Sequence, residues 1–105
     1  MPARRNVEEC VRVKCEEEQP QDGRMYCFRV KVNGEAETFE FEVSISGTAM
    51  STQTEGLEQI LRESGWEEIA RRKITQAVRN GDLDGLRPGS KVRQAVESSD
   101  LNFLV

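Results

Sequence analysis

The chain has 105 residues, 36% hydrophobic and 32% charged, with a formal net charge of −4 and no histidine. That length fits one domain with one core and is too short for two ordinary ones. The missing histidine removes Ser-His-Asp and Cys-His nucleophile chemistry, a histidine general base and the commonest metal ligand.

Residues 1–6 read as a flexible N-terminus before a single domain over 7–105. Arg4 and Arg5 are followed by no apolar segment, so no secretory signal is expected. No apolar run approaches the roughly 18 residues of a membrane span. The three cysteines, Cys10, Cys15 and Cys27, form an odd set without close spacing. This reads as reduced thiols in a cytoplasmic protein, the alternative being one bridge with one thiol left over.

From Val7 to Glu16 the residues Val7, Val11, Val13 and Cys15 share one parity, and Arg12, Lys14 and Glu16 take the other. Period two with β-branched residues predicts a strand with one buried face. Glu9 breaks the alternation and leaves the start of the strand open. Pro20-Gln21-Asp22-Gly23 is a turn signal. A second strand follows over 25–32, with Tyr26, Phe28, Val30 and Val32 on one face and Cys27, Arg29 and Lys31 on the other.

Asn33-Gly34 marks a hairpin, because both residues tolerate positive φ. The third strand is expected over 36–46. A four-residue loop sets Val30 opposite Phe39, Phe28 opposite Phe41 and Tyr26 opposite Val43, and keeps Glu35 off the apolar face.

Residues 47–51 read as a linker. Thr52-x-x-Glu55 and Ser64-x-x-Glu67 both match the capping-box pattern. The apolar phase of Leu57, Ile60 and Leu61 breaks at Ser64-Gly65 against that of Trp66, Ile69, Ala70, Ile74, Ala77 and Val78. Two helices are therefore expected, over 53–64 and 65–80, with one kinked helix as the alternative. Ser90 would cap a short third helix over 91–98 carrying Val92, Ala95 and Val96. The apolar tail 101–105 should dock, as an added strand or against the helices.

The fold class that follows is α+β: a three-stranded antiparallel sheet of two hairpins, followed by two to three helices on one face. The shared face of Tyr26, Phe28, Phe39 and Phe41 reads as core, with a stacking platform for RNA as its functional rival. The opposite face should carry Arg12, Lys14, Arg29 and Lys31 with Glu40 and Glu42. Trp66 reads as an anchor between helices and sheet. A third strand in the middle would flank its glutamates with both basic pairs, but it would need the first and third strands parallel, so the meander of adjacent hairpins is expected instead.

Between 71 and 93 stand seven basic residues, Arg71, Arg72, Lys73, Arg79, Arg87, Lys91 and Arg93, against Asp82 and Asp84, a local charge of +5. Clustered positive charge is the footprint of nucleic-acid binding. The competing reading is a solvated face, with Arg71 and Arg72 paired to Glu67 and Glu68 at helical spacing. Cys27, on the polar face beside Arg29, is the candidate exposed thiol.

No cofactor or metal is expected. The cysteine spacing fits no zinc site, the Asp82–Asp84 segment lacks the remaining ligands of a calcium loop, and Gly85–Ser90 lacks the ending of a phosphate loop. The functional expectation is a small non-enzymatic interaction or accessory protein. Its partner would be another protein or a second copy, a homodimer through a sheet edge or the C-terminal tail. A nucleic-acid-binding module using the basic stretch is the alternative.

Overall fold

The structure, a computed structural model, describes residues 5–87 and 89–105. The expectation for residues 1–4 lies outside the described residues, as does Pro88. Arg5 and Asn6 are tied to the fold. Arg5 pairs with Glu35 at 3.1 Å, and the Asn6 carbonyl accepts from the Asn33 N–H at 3.1 Å.

The fold is α+β. Strands β1 (Val7–Val13), β2 (Arg24–Val32) and β3 (Phe39–Ile45) form an antiparallel meander. Three helices follow: α1 (Gly47–Met50), α2 (Leu57–Glu63) and α3 (Gly65–Arg79). The chain then returns as β4 (Lys91–Val96), parallel to β3, so the sheet has four strands in the order β1-β2-β3-β4. A 3₁₀ turn over Ser98–Asp100 and helix α4 (Leu101–Leu104) close the chain.

The β2–β3 register is the predicted one: Val30 faces Phe39, Phe28 faces Phe41 and Tyr26 faces Val43. Those residues are buried, with Phe28 and Phe39 wholly inaccessible. Ile69, Ala70, Ile74, Ala77 and Val78 of α3 close over them, and Trp66 packs at the margin. The aromatic face is therefore core and offers no stacking platform. Each such side chain contributes roughly 1.5–3 kcal/mol by leaving water.

Residues 91–98 form a strand and a turn instead of a third helix. The spacing of Val92, Ala95 and Val96 fits a helix, but Val92 and Val96 also fit a strand, and they are the buried ones. Ala95 lies on the exposed face. Pairing decides the matter: without β4, the backbone groups of Glu40, Glu42 and Ser44 that point away from β2 would lack partners. The tail docks as a helix, with Leu101 and Leu104 buried and the Leu104 carbonyl accepting from Arg72 Nη1 at 2.7 Å.

β1 departs from its predicted face. The register slips between Val7 and Glu9, so one residue bulges. Past the bulge, Cys10 faces Val30 and Arg12 faces Phe28 on the core side, whereas Val11 and Val13 face Arg29 and Cys27 on the outer side. Val11 is consequently exposed, and Arg12 lies over the Tyr26 ring at 4.9 Å instead of among the polar residues.

The helix break at Ser64-Gly65 is present, but neither predicted capping box forms. Thr52 Oγ1 donates to the Thr48 carbonyl, and Glu67 turns to Arg12. The caps that do form are Ser46, whose Oγ accepts from the Ala49 N–H, and a Glu97–Asp100 box. At its C-terminus α3 ends at Asn80-Gly81 as predicted. The Gly81 N–H reaches the Val78 carbonyl and the Asp82 N–H reaches that of Ala77, a Schellman motif.

Gly23 opens β2 with φ of 89°, and a Cβ there would overlap the Ile45 carbonyl oxygen. Gly34 also has positive φ (82°), but open space surrounds it. Gly34→Ala should therefore cost only the backbone strain, roughly 1–2 kcal/mol, and Gly23→Ala distinctly more. Urea midpoints of the two variants check the order.

Candidate functional site

On the outer face of the sheet, β3 runs as an acidic strand between two basic ones. Glu40 faces Arg29 of β2 and Lys91 of β4, and Glu42 faces Cys27 and Arg93. Opposite charges in such rows attract by a few tenths to about 1 kcal/mol per pair. The glutamates are thus flanked by basic residues, with β4 supplying the second flank. Glu42 is the buried acid, 6% exposed. Its Oε2 lies 3.2 Å from Lys91 Nζ and 3.5 Å from Arg93 Nε, but no donor is angled into a hydrogen bond, so the contact is ionic. The adjacent Glu42 carboxylate holds Lys91 above its ordinary 10.5, against the opposing effect of burial.

The segment 14–23 folds over one end of this face. Cys15, two residues past β1, lies on the same side as Val13 and Cys27, and it forms a disulfide with Cys27, Cα–Cα 5.3 Å. The expectation of reduced thiols is thereby corrected. The pairing of β1 with β2 brings the two sulfurs together, although 12 positions separate them in sequence. Cys27 is consequently no free thiol. Farther along, Gln19 takes the place of a missing strand residue beside β2. Its Oε1 accepts from the Met25 N–H at 3.0 Å, and its Nε2 donates to the Met25 carbonyl at 2.9 Å. Glu17 reaches across to β4, 3.2 Å from Arg93 Nη2 and 3.7 Å from Lys91 Nζ.

The free thiol is Cys10. Burial pushes it above its ordinary 9.0, and the nearby Arg71 guanidinium only partly offsets this. Thiol titration in denaturant should find one reactive cysteine before reduction and three after it. Three before reduction would contradict the Cys15–Cys27 bond.

The seven basic residues of the stretch 71–93 do not form one surface. Arg71, Arg72, Lys73 and Arg79 belong to α3, on the core side of the sheet, and Lys91 and Arg93 project from the other side. Most are already engaged. Arg71 pairs with Glu67 at 3.5 Å, donates to the Cys10 carbonyl and lies over the Phe28 ring. Arg72 pairs with Glu68 at 3.3 Å, and Lys73 with Asp100 at 3.3 Å. Among the described residues, only Arg79 and Arg87 of the seven make no ion pair. Arg79 lines a groove of about 450 Å³ between α3 and α4 with Thr75, Asn80 and Phe103, the last 78% exposed.

Arg12 Nη1 donates to Glu67 Oε1 at 2.8 Å, tying β1 to α3. That hydrogen bond, helped by Arg71 and opposed by burial, holds the Glu67 carboxyl below its ordinary 4.5. A depressed folded-state pKa stabilises above the unfolded value, and the contribution fades as pH falls through the folded one. Glu67→Gln should therefore flatten the loss of stability below about pH 4.5. Urea midpoints between pH 3 and 7 measure this.

The two sheet edges differ. The Glu40 N–H donates to the Ser90 carbonyl and the Ser46 N–H to that of Val96. Backbone groups alternate along a strand, so the even positions of β4 face β3. The N–H and C=O groups of Lys91, Arg93 and Ala95 point away, and among the described residues no backbone partner meets them. On β1 the same alternation turns Cys10 and Arg12 outward, but the Cys10 carbonyl is taken by Arg71 and the bulge distorts the strand start.

Among the described residues no group of three or more Cys, Asp or Glu side chains gathers as a metal would need, and no helix is long and apolar enough to cross a membrane. Comparison with protein-family models, with curated proteins and with solved structures finds no match to this chain.

Proposed function

We propose that the protein is a small non-enzymatic interaction module that takes an extended acidic segment of a partner protein onto the free edge of β4. The observation that carries the reading is the row of outward backbone groups at Lys91, Arg93 and Ala95. Main-chain pairing along such an edge supplies affinity, and alternate side chains supply selectivity.

Charge selects the occupant. Lys91 and Arg93 project from one side of the edge, and Arg93 is largely exposed. Acidic residues at alternate positions of an added strand would lie beside them. A second copy pairing β4 to β4 about a twofold centred on Arg93 would set that residue against itself, and like charges in cross-strand positions repel. A foreign acidic strand avoids that clash and adds attraction to Lys91 and Arg93, and it is the occupant this reading takes. The basic stretch supports nucleic-acid binding less well, because the sheet divides it and most of its members are paired within the chain.

A proline on an edge strand is tolerated where its nitrogen faces solvent, and it removes one outward donor. Arg93→Pro should keep the native circular dichroism spectrum. It should weaken binding of a labelled decapeptide alternating Val or Thr with Glu at least tenfold by fluorescence anisotropy. Equal binding by the variant, or none by the native protein at low salt, would sink the reading. Sedimentation of the native protein as a dimer that Arg93→Pro dissociates would replace the foreign strand with a second copy.

A further inference from the structure

The acidic stretch Glu16-Glu17-Glu18 lies within the covering segment, which touches the same cations that the proposed peptide would use. We infer that the segment 14–23, strapped down by the Cys15–Cys27 disulfide, is a redox-controlled cover on the β4 edge whose release strengthens the binding of acidic strands. The inference rests on the peptide-binding reading above.

Three features of the strap support it. First, its attachment is local and polar. The disulfide fixes one end, Asp22 lies against Gly47 at the other, the Gln19 amide clasps Met25, and among the described residues Glu17 makes the segment's ion pairs to β4. Second, it is not packed into the core. An open hollow of about 550 Å³ lies among Val13, Cys15, Glu17, Gln19 and Met25, and Glu16, Glu17 and Glu18 are exposed. Third, Cys15 and Cys27 are both partly exposed residues and not members of the core. The cover can therefore loosen while β2, β3 and β4 keep their ladders, which depend on neither sulfur.

The chemistry is thiol–disulfide exchange with a dithiol reductant. One reductant thiolate attacks a sulfur of the bridge, and the other cysteine leaves as a thiolate and takes up a proton. The second reductant thiol then displaces the mixed disulfide. Two electrons and two protons pass to the protein, which ends with thiols at Cys15 and Cys27, and the reductant ends as its own disulfide. Without the tether at Cys15, Glu17 is no longer held beside Lys91 and Arg93, and an incoming carboxylate meets less competition. The competing contacts are two exposed ion pairs contributing together roughly 0.7–1 kcal/mol, so the gain is about three- to fivefold in affinity.

The test uses the acidic decapeptide and four samples: the protein oxidised and reduced with dithiothreitol, and the Glu17→Gln variant oxidised and reduced. Reduction and Glu17→Gln should each tighten binding about three- to fivefold, and reduction of Glu17→Gln should add little. Circular dichroism checks that the reduced chain remains folded. If it unfolds, Glu17→Gln with the bridge intact decides the question, and unchanged affinity there overturns the cover. If the peptide binds all four samples equally while Arg93→Pro still weakens binding, the cover falls and the edge reading stands. If the peptide binds none of them, both fall.

Discussion

Strand β3 is hydrogen-bonded along both of its sides, and the rest of the architecture answers to that requirement. Its odd residues bury Phe39, Phe41, Val43 and Ile45 beneath the helices, and its even residues turn Glu40 and Glu42 outward. β2 satisfies one side by a hairpin. The other side is met by a parallel strand, which needs a crossover long enough to return the chain to the same end of the sheet. Residues 46–90 make that crossover, and α3 uses it to cover the apolar face. The helical layer and the last strand are thus one solution to one pairing problem. The tail follows from it, because Leu101 and Leu104 find their place beside α3 only after β4 has brought the chain there.

The same strand organises the outer face. Glu42 is drawn down between Lys91 and Arg93, where burial alone would disfavour a carboxylate. Removing both cations would strand it, whereas each cation retains access to water. The acid is therefore the member that depends on the pairing. Glu17 adds a second carboxylate to the same two cations from a segment that owes its position to a covalent bond and an amide clasp. A buried and an exposed carboxylate thus meet on one pair of side chains.

Much of this was readable from residue order, and the parts that were not share a cause. The central hairpin was legible because Phe28, Val30, Phe39 and Phe41 alternate without interruption, and the four-residue loop also keeps Glu35 off their face. The helix break was legible from the phase change at Gly65. β1 misled because a single extra residue between Val7 and Glu9 exchanges its faces, and alternation cannot signal a slip that depends on the neighbouring strand. β4 misled because six residues with three apolar members fit both periods. Its identity is set by a strand whose residues pair with it 51 positions upstream, which is tertiary information. The Cys15–Cys27 bond was hidden for the same reason: spacing gives no measure of distance across a ladder. At the candidate site, the residue types at Lys91 and Arg93 were visible, but their placement on the opposite side of the sheet from Arg71 and Arg72 was not.

The slip in β1 has one consequence beyond the placement of side chains. With that margin distorted and its Cys10 carbonyl held by Arg71, the β1 side of the sheet is a poorer template for an added strand than the β4 side. A stack of strands needs two receptive sides on every member to lengthen without limit. This molecule presents one open side and one blunted side, so growth of its backbone pairing into a fibre should be disfavoured.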